Sequence, residues 1–231
     1  MQISGSIALV TGANRGLGRE FATQLLARGA VKVYATARRP ELVDIPGVEV
    51  LPLDITDQAS VDAVAAIATD VTLLVNNAGV STGANLVGGD LDLLRREMDT
   101  HFWGTLRMIR AFVPRLAGGA ILNVLSALSW FATDGAGGYG AAKAAEWSLT
   151  NGVRLELASQ KTLVTGLHLG AADTDMMAGY DVPKIAPADV VRQALDGIEA
   201  NRLEVLADET SALVKASLAE DPSRFYAGLG N

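Results

Sequence analysis

The chain contains a tyrosine and a lysine whose spacing suits acid–base chemistry. Tyr139 and Lys143 stand four positions apart, which on a helix places both side chains on one face. A free phenol titrates near pH 10 and is a poor proton donor or acceptor at neutral pH. An ammonium group about 4 Å away favours the ionised phenol by about 4 kcal/mol, although burial of the phenol opposes this effect. The pair is therefore a candidate for proton transfer; the alternative is an ordinary pair on a helix surface.

A nearby hydroxyl distinguishes this pair from a second one with the same spacing. Ser126 lies thirteen residues before Tyr139, just past a predicted buried strand. The second pair, Tyr180 and Lys184, is interrupted by a proline, which disfavours a regular helix, and has leucine at the corresponding earlier position. Context therefore favours the first pair together with Ser126. Ser129 is a rival hydroxyl in the same loop, and an ordinary turn residue is the alternative interpretation of Ser126.

A glycine-rich segment follows the first predicted strand. Residues 11–18 read Thr-Gly-Ala-Asn-Arg-Gly-Leu-Gly. Gly12 permits a tight turn, Gly16 lets backbone N–H groups approach a pyrophosphate, and Gly18 allows a helix to pack closely on the strand. The helix that follows supplies free N–H groups and the positive end of its dipole. The segment lacks the Lys-Ser/Thr of a triphosphate loop, so it predicts dinucleotide binding, with a plain glycine turn as the alternative.

The end of the second predicted strand indicates which dinucleotide is bound. An NAD enzyme usually carries Asp or Glu there for the ribose 2′-hydroxyl, whereas an arginine suits a 2′-phosphate. Arg38 occupies this place, no acid is present, and Arg15 in the glycine loop adds a second guanidinium. We therefore predict NADP, with NADPH preferred over NADH. The alternative is that these charges are merely solvated.

Composition excludes several classes of function. The chain has 231 residues and a net charge of −7, which argues against a basic nucleic-acid-binding surface. Hydrophobic residues make up 49% and charged residues 19%, a composition that folds rather than stays disordered. With no cysteine and only two histidines, thiolate catalysis, disulfides and a metal site are not expected. The first residues lack a charged and apolar leader, which predicts a cytoplasmic protein.

Two uncharged windows, residues 71–89 and 116–133, are long enough to be tested as membrane spans. Both contain several glycines and asparagine or serine side chains, which would need polar partners in lipid. Each window fits a buried strand followed by a glycine-rich loop better. We expect no membrane association.

Short apolar runs alternate with amphipathic helical patterns along the chain. Strands are predicted at residues 7–10, 31–35, 48–53, 73–75, 120–125, 163–169 and 203–206, and helices at 21–27, 61–67, 91–116, 139–157 and 189–198. This alternation predicts an α/β protein with a parallel sheet, formed as a single domain over residues 1–231. The tail after residue 208 is expected to pack against the body. Ligands bind such sheets at the carboxyl ends of the strands, where all the motifs above lie.

Taken together, these residues resemble the short-chain dehydrogenase/reductase family over residues 7–198. The motifs that carry the resemblance are the glycine loop, Asp54, Asn-Asn-Ala-Gly at 76–79, Asn-Val-Leu-Ser at 123–126, and Tyr139 with Lys143. The resemblance implies a Rossmann-type, doubly wound sheet of strand order 3-2-1-4-5-6-7 and hydride transfer with NAD(P). It also implies a homodimer or homotetramer built partly through the two long helices.

The resemblance also implies roles for individual residues. Tyr139 is the general acid/base, Lys143 binds the nicotinamide ribose and assists the tyrosine, and Ser126 holds the substrate oxygen. The implied cofactor-binding residues are Gly12, Asn14, Arg15, Gly16, Leu17, Gly18, Arg38, Asp54, Ile55, Asn77, Ala78, Gly79, Tyr139, Lys143, Gly170 and Thr174.

Two positions depart from the family pattern. His101 stands where the family usually has the asparagine that helps to hold a water linking the lysine to solvent. An imidazole can donate and accept, and it titrates near neutrality, so His101 is predicted as a fourth catalytic residue with a pH effect around 6–7. A core histidine bonded to backbone is the alternative. Leu169 replaces the proline that usually precedes Gly170, which weakens the transfer of a cofactor contact to Thr174.

The predicted function is an NADP-dependent alcohol dehydrogenase or carbonyl reductase that interconverts a ketone or aldehyde and an alcohol. The alternative from another class is a non-catalytic dinucleotide-binding sensor; an enoyl reductase usually spaces its Tyr and Lys more widely. Residues 175–187 are expected to form a lid, and if the lid closes, an apolar or aromatic substrate is favoured; ordinary loop packing is the alternative. The side chains behind this expectation are Trp130, Phe131, Met176, Met177 and Tyr180.

Overall fold

The chain folds around one parallel sheet of seven strands. A computed structural model describes residues 1–227, so the last four residues of the predicted domain lie outside the described part. The strands are β1 (Ile7–Thr11), β2 (Lys32–Ala37), β3 (Glu49–Pro52), β4 (Leu73–Asn76), β5 (Ala120–Val124), β6 (Leu163–His168) and β7 (Glu204–Leu206). Their order is β3-β2-β1-β4-β5-β6-β7, and every neighbouring pair is parallel. The predicted fold class and strand order are confirmed.

Helices cover both faces of this sheet. They are α1 (Gly16–Ala27), α2 (Gln58–Ile67), α3 (Leu91–Met98), α4 (Thr105–Phe112), α5 (Gly137–Glu156), α6 (Pro187–Glu199), α7 (Glu209–Ser217) and α8 (Pro222–Ala227). Within residues 1–227, none of them combines the length and the apolar character that crossing a bilayer requires.

The hydrophobic core has two parts, one on each face of the sheet. Successive side chains of a strand point to opposite faces, so Ala8 and Val10 lie in one part and Leu9 in the other. The first part packs against α1 and α6 through Phe21, Leu25, Val191 and Leu195, and the second against α2, α4 and α5 through Val61, Met108, Phe112 and Val153. Burial on both faces explains why the strands read as continuous apolar runs rather than alternating ones.

The predicted continuous helix over 91–116 is wrong in its middle and at its end. A π-helical segment, Asp99–Gly104, separates α3 from α4, and a 3₁₀ turn, Val113–Arg115, closes the element. Pro114 explains the end, because proline has no N–H to continue the helix. At the π segment, Gly104 lies so close to Ile55 that a Cβ would sit 2.8 Å from its Cδ1. Such segments occur often at functional sites, and this one carries His101.

The tail contains two helices that the hydrophobic pattern did not predict. The helix α7 begins with a capping box, in which the Asp208 carboxylate accepts from the Ser211 N–H at 2.8 Å. The same carboxylate also accepts from the Gly170 N–H at 2.6 Å. The tail therefore holds the loop after β6, where the sequence predicts cofactor contacts.

Candidate active site

The glycine loop forms a cradle between β1 and α1. Gly12 and Gly16 have φ of 68° and 53°, in the left-handed region that favours glycine. A Cβ on Gly18 would collide with the Gly12 carbonyl and with the Asn77 amide. The backbone is thus open where a phosphate would approach, and the chain is tightly packed behind it, as the sequence predicts.

The start of α1 differs from the starts of three other helices. Asp57, Asp90 and Asp208 cap α2, α3 and α7 with their carboxylates. At α1 the N-cap is Arg15, which makes no side-chain cap hydrogen bond, and the first turn contains no acid. The first N–H groups and the positive dipole end of α1 are therefore available to an anion. These features fit the pyrophosphate of a dinucleotide.

Two polar side chains tie the glycine loop to the end of β4. The Thr11 hydroxyl oxygen accepts from the N–H groups of Asn77 and Ala78 at 2.9 and 3.0 Å. The Asn77 amide donates to the carbonyl of Thr11 at 2.9 Å. Asn77 therefore shapes the loop with its side chain. Thr11 opens the glycine motif but was not among the predicted site residues; its place in the motif was the available signal.

Several arginines lie on the side of the sheet that is expected to hold the adenosine. Arg38 is exposed after β2 and lines a cleft of about 390 Å³ together with Thr56, Arg95 and Arg96. Asp54 accepts from the N–H and hydroxyl of Thr56 at 2.9 and 2.7 Å. Burial raises the pKa of Asp54, but these hydrogen bonds and the charge of Arg38 outweigh it and lower the pKa below its ordinary value. Asp54 is therefore an ionised acceptor near Arg38. The cleft is also lined by Asp92 and Asp99, and Asp92 pairs with Arg95 at 2.8 Å.

The remaining predicted cofactor residues lie around the same cradle. The Thr174 side chain lies against Gly16, where a Cβ would come within 3.3 Å of its methyl group. Arg15 forms an exposed ion pair with Asp175 at 3.1 Å. Leu17 and Ala78 pack against the core, Ile55 is buried, and Asn14 is half-buried. All of them stay predictions as cofactor contacts.

Tyr139 and Lys143 lie on consecutive turns at the start of α5. The Lys143 ammonium lies 5.8 Å from the centre of the Tyr139 ring, and the lysine side chain is buried. This helix packs against the 3₁₀ turn Ala127–Ser129, which Ser126 caps by accepting from the Leu128 N–H at 3.1 Å. The structure thus brings the three predicted catalytic residues to one edge of the sheet. The rival hydroxyl, Ser129, is also buried there.

A buried glutamate contacts Lys143. Lys143 donates to Glu146 Oε2 and to the Val124 carbonyl, both at 2.7 Å. The Thr105 hydroxyl donates to the other carboxylate oxygen, Oε1, at 3.0 Å. The sequence analysis missed Glu146, although its position three residues after Lys143 places it on the same helix face.

His101 occupies the space beside Tyr139 and Glu146. Its ring lies edge-on to the Tyr139 ring with centres 5.2 Å apart, and its Nε2 lies 2.7 Å from the Val80 carbonyl oxygen. Burial, followed by the charge of Lys143, lowers its pKa well below the ordinary value. The expected titration of His101 around pH 6–7 is therefore wrong for the folded protein. The bond to Val80 fits the alternative interpretation of a core histidine.

The second Tyr-Lys pair is not helical. Tyr180 is 55% exposed, and residues 180–184 form irregular backbone. The prediction that Pro183 disfavours a regular helix here is confirmed, and the two side chains are not aligned on one helix face.

Comparison with known proteins decides the family. A family model described as short chain dehydrogenase matches residues 6–183. The chain is a short-chain dehydrogenase/reductase. A short-chain dehydrogenase from Burkholderia cenocepacia, solved in complex with NADP, is 39% identical over the full length of both chains, with a TM-score of 0.95.

Two curated relatives are more distant. An uncharacterized oxidoreductase of Staphylococcus aureus is 29% identical over 84% of this chain and 90% of its own length. An NADPH-dependent 1-acyldihydroxyacetone phosphate reductase of Schizosaccharomyces pombe is 35% identical over 74% of this chain and 61% of its own length. The chain is thus an NAD(P)-binding oxidoreductase of this family.

Two aromatic side chains that the sequence analysis placed near the substrate, Trp130 and Phe131, pack against other rings of this short-chain dehydrogenase. Trp130 stacks on His168, with ring centres 3.8 Å apart, and the Lys215 ammonium lies 5.5 Å from the Trp130 ring centre. Phe131 packs edge-on against Phe225 of α8 at 5.5 Å. Burial lowers the pKa of His168 to about 4, so the imidazole in this stack is neutral.

Proposed function

We propose that this protein interconverts a ketone or aldehyde and an alcohol with NADP(H). The observation that carries the proposal is the arrangement on α5, where Tyr139 stands one turn from a buried Lys143 ammonium and next to the turn capped by Ser126. Proton transfer by a positioned phenol is the step that such an arrangement can perform.

NADPH supplies the hydride when bound. The uncapped start of α1 and the glycine cradle would hold its pyrophosphate, and Arg38 would hold the 2′-phosphate. Asp54 and Ile55 would lie near the adenine, with Gly79, Gly170 and Thr174 contacting the rest of the dinucleotide. The NADP in the Burkholderia cenocepacia structure and the NADPH dependence of the Schizosaccharomyces pombe relative support this preference.

The chain's own groups then act on the carbonyl oxygen. Tyr139 donates a proton to that oxygen during reduction and accepts it during oxidation. The Ser126 oxygen already accepts from Leu128, and a hydroxyl has one hydrogen to donate, so Ser126 would orient the substrate oxygen. Lys143 would bind the nicotinamide ribose and assist Tyr139.

The substrate side favours an apolar or aromatic carbonyl compound. Met176 and Tyr180 are 43% and 55% exposed in the segment 175–187. If this segment closes as a lid, their side chains would pack against the substrate. This segment is anchored at its far end by Ile185, which bridges to Ala172. Trp130 is expected to form a rigid wall rather than a mobile contact, because it stacks on His168.

We propose that the protein is a homodimer or homotetramer built partly through α4 and α5 and the π segment between α3 and α4. Trp103 and Leu155 are 50% and 79% exposed on these elements, and large exposed apolar side chains favour contact with another protein surface. Light scattering coupled to size-exclusion chromatography tests this assembly; a monomer at micromolar concentration would contradict it.

NADPH oxidation with a panel of apolar and aromatic ketones and aldehydes tests the activity. Turnover of at least one compound, abolished by Tyr139→Phe, is expected. Tight NADPH binding with no turnover of any compound would contradict an enzyme and support a dinucleotide-binding sensor.

A further inference from the structure

The catalytic helix carries a buried carboxylate whose two oxygens are both engaged. Glu146 is 2% exposed; Oε1 accepts from the Thr105 hydroxyl at 3.0 Å, and Oε2 accepts from the Lys143 ammonium at 2.7 Å. Removing a carboxylate from water is costly unless it gains charged or hydrogen-bonding partners. This carboxylate has both kinds of partner, and the charged one is the lysine of the active site.

The hydrogen bonds of Lys143 leave it little freedom. An ammonium group has three hydrogens, and Lys143 directs one to Glu146 and one to the Val124 carbonyl, both at 2.7 Å. One hydrogen therefore remains for a cofactor ribose or for Tyr139. Because Val124 is the last residue of β5, the same contacts also tie α5 to the strand that leads to Ser126.

The charge of Glu146 also acts on the protonation of Lys143. Burial alone lowers the pKa of a lysine, but the charge of Glu146, the electrostatic interaction with Tyr139 and the hydrogen bond that Lys143 donates to Glu146 raise the pKa of Lys143 above its ordinary value. Other titratable groups also lie on the surrounding elements. His101 is neutral, with Nδ1 at 3.7 Å from Oε2. Glu97 Oε1 accepts from the Thr82 N–H at 2.7 Å, while its buried Oε2 has no hydrogen-bond partner within residues 1–227, and the His168 ring lies 3.3 Å from the Ser126 carbonyl oxygen. Glu146 is the carboxylate that is hydrogen-bonded to Lys143.

We propose that Glu146 is a positioning residue of the active site, which keeps the Lys143 ammonium charged and fixed one turn from Tyr139. The proposal rests on the function proposed above, in which Lys143 serves Tyr139 and the cofactor. His101 completes the pocket, since a Cβ on Gly79 would lie 2.7 Å from its ring carbon. The imidazole therefore lies between Gly79 and the ion pair, with its Nδ1 3.7 Å from Glu146 Oε2.

The first test measures Lys143 directly in the cofactor-free protein. Nitrogen NMR of ¹⁵N-lysine-labelled protein follows each side-chain nitrogen with pH, and Lys143→Met assigns the signal. Glu146→Gln is expected to lower the pH at which Lys143 loses its proton by about one unit or more, because a buried ammonium without a counter-ion is disfavoured. Thr105→Val, which keeps the carboxylate, should produce a smaller shift in the same direction.

The matched control is Glu156→Gln, the same exchange at an exposed place on the same helix, and it should leave the signal unchanged. A Lys143 midpoint that is the same in Glu146→Gln as in wild type overturns the proposal.

The second test uses catalysis. In Glu146→Gln, kcat at neutral pH should fall about tenfold because the ammonium is no longer held in place beside Tyr139. Activity should also decline at a lower alkaline pH than in wild type, and kcat should change more than KM. Glu146→Asp, which retains the charge, should restore much of the loss. A pH profile of Glu146→Gln identical to that of wild type contradicts the proposal. If the NMR shift occurs but no carbonyl compound is turned over by wild type, the proposed function is wrong while the ion-pair assignment stands.

Discussion

The glycine loop and the helix α5 differ in how their charged groups are balanced. At the glycine loop, α1 begins without a side-chain cap and Arg38 is exposed in an open cleft. At the helix α5, Lys143 and Glu146 are buried and form an ion pair with each other. The first region presents groups that an incoming anion can satisfy, whereas the second contains its own counter-charge.

This difference depends on whether the ligand or the chain itself supplies the negative charge that balances the cations. A dinucleotide brings its own negative charge in its phosphates. The cations that bind it can therefore stay solvent-exposed before binding, at little cost in folding stability. A carbonyl substrate carries no charge to balance a buried ammonium, and the chain must supply that balance itself. The expected consequence is that mutations at the catalytic end affect both turnover and folding, while those at the cofactor end affect binding alone.

The largest effect is expected from Tyr139→Phe. Loss of the proton donor should lower kcat by about 10²–10⁴-fold, while the dissociation constant for NADPH, measured by fluorescence titration, stays nearly unchanged. Tyr180→Phe, in the irregular second pair, is the control and should be mild. More than about a tenth of the wild-type kcat in Tyr139→Phe would refute the role of the phenol.

Breaking the buried ion pair should destabilise the fold. Glu146→Ala leaves an uncompensated ammonium and should lower the free energy of unfolding in urea by about 3–5 kcal/mol. The double variant Lys143→Met/Glu146→Leu should recover most of that loss, and Glu156→Ala on the exposed face should have little effect. Equal losses in the single and double variants would mean that the ion pair does not matter for folding.

Acid should lower the free energy of unfolding through His168, which is neutral in the folded protein. His168 has a pKa of about 4 in the folded protein and about 6.5 when unfolded, so the unfolded chain binds the extra proton first. The stabilisation is complete above pH 6.5 and is lost as the pH falls toward 4, by about 3 kcal/mol. Urea unfolding at several pH values should show this fall, and His168→Asn should flatten it. An equally steep dependence in that variant would contradict the assignment.

At the cofactor end, Arg38→Ala should reduce kcat/KM for NADPH by about tenfold or more, as expected for a charge-assisted contact of about 1.5–3 kcal/mol. The value for NADH and the free energy of unfolding should change little. The neighbouring exposed Arg39 provides the matched control. Equal losses for both cofactors would show that Arg38 does not read the 2′-phosphate.

The smallest effect is expected from Asp175→Asn. The Arg15–Asp175 ion pair joins side chains that are 66% and 72% exposed, and such pairs stabilise a fold by less than about 1 kcal/mol. Because Asp175 competes with a phosphate for Arg15, its removal should raise NADPH affinity by up to about threefold at low salt. A clear loss of NADPH affinity would show that the pair itself shapes the cofactor site.

Motifs with fixed local spacing were predictable because their chemistry is local. The glycine cradle, the Tyr139–Lys143 pair and the placement of Ser126 after a buried strand each lie within a few residues of a strand or helix end. The apolar runs likewise predicted all seven strands and the parallel sheet. The helices of the tail were missed because a capping box at Asp208 starts α7 without a strong apolar pattern.

The amino-acid sequence by itself thus determined the family and the fold, and it predicted which groups react. Only the tertiary structure decided how those groups are charged and held. His101 and Glu146 lie 45 positions apart on different elements, yet tertiary packing places Nδ1 of one 3.7 Å from Oε2 of the other. The π segment that carries His101 also packs its last residue, Gly104, closely against Ile55, far away along the chain. Protonation in a buried cluster depends on burial and on charges brought in from distant parts of the chain, and neither can be read from the spacing of residues along it.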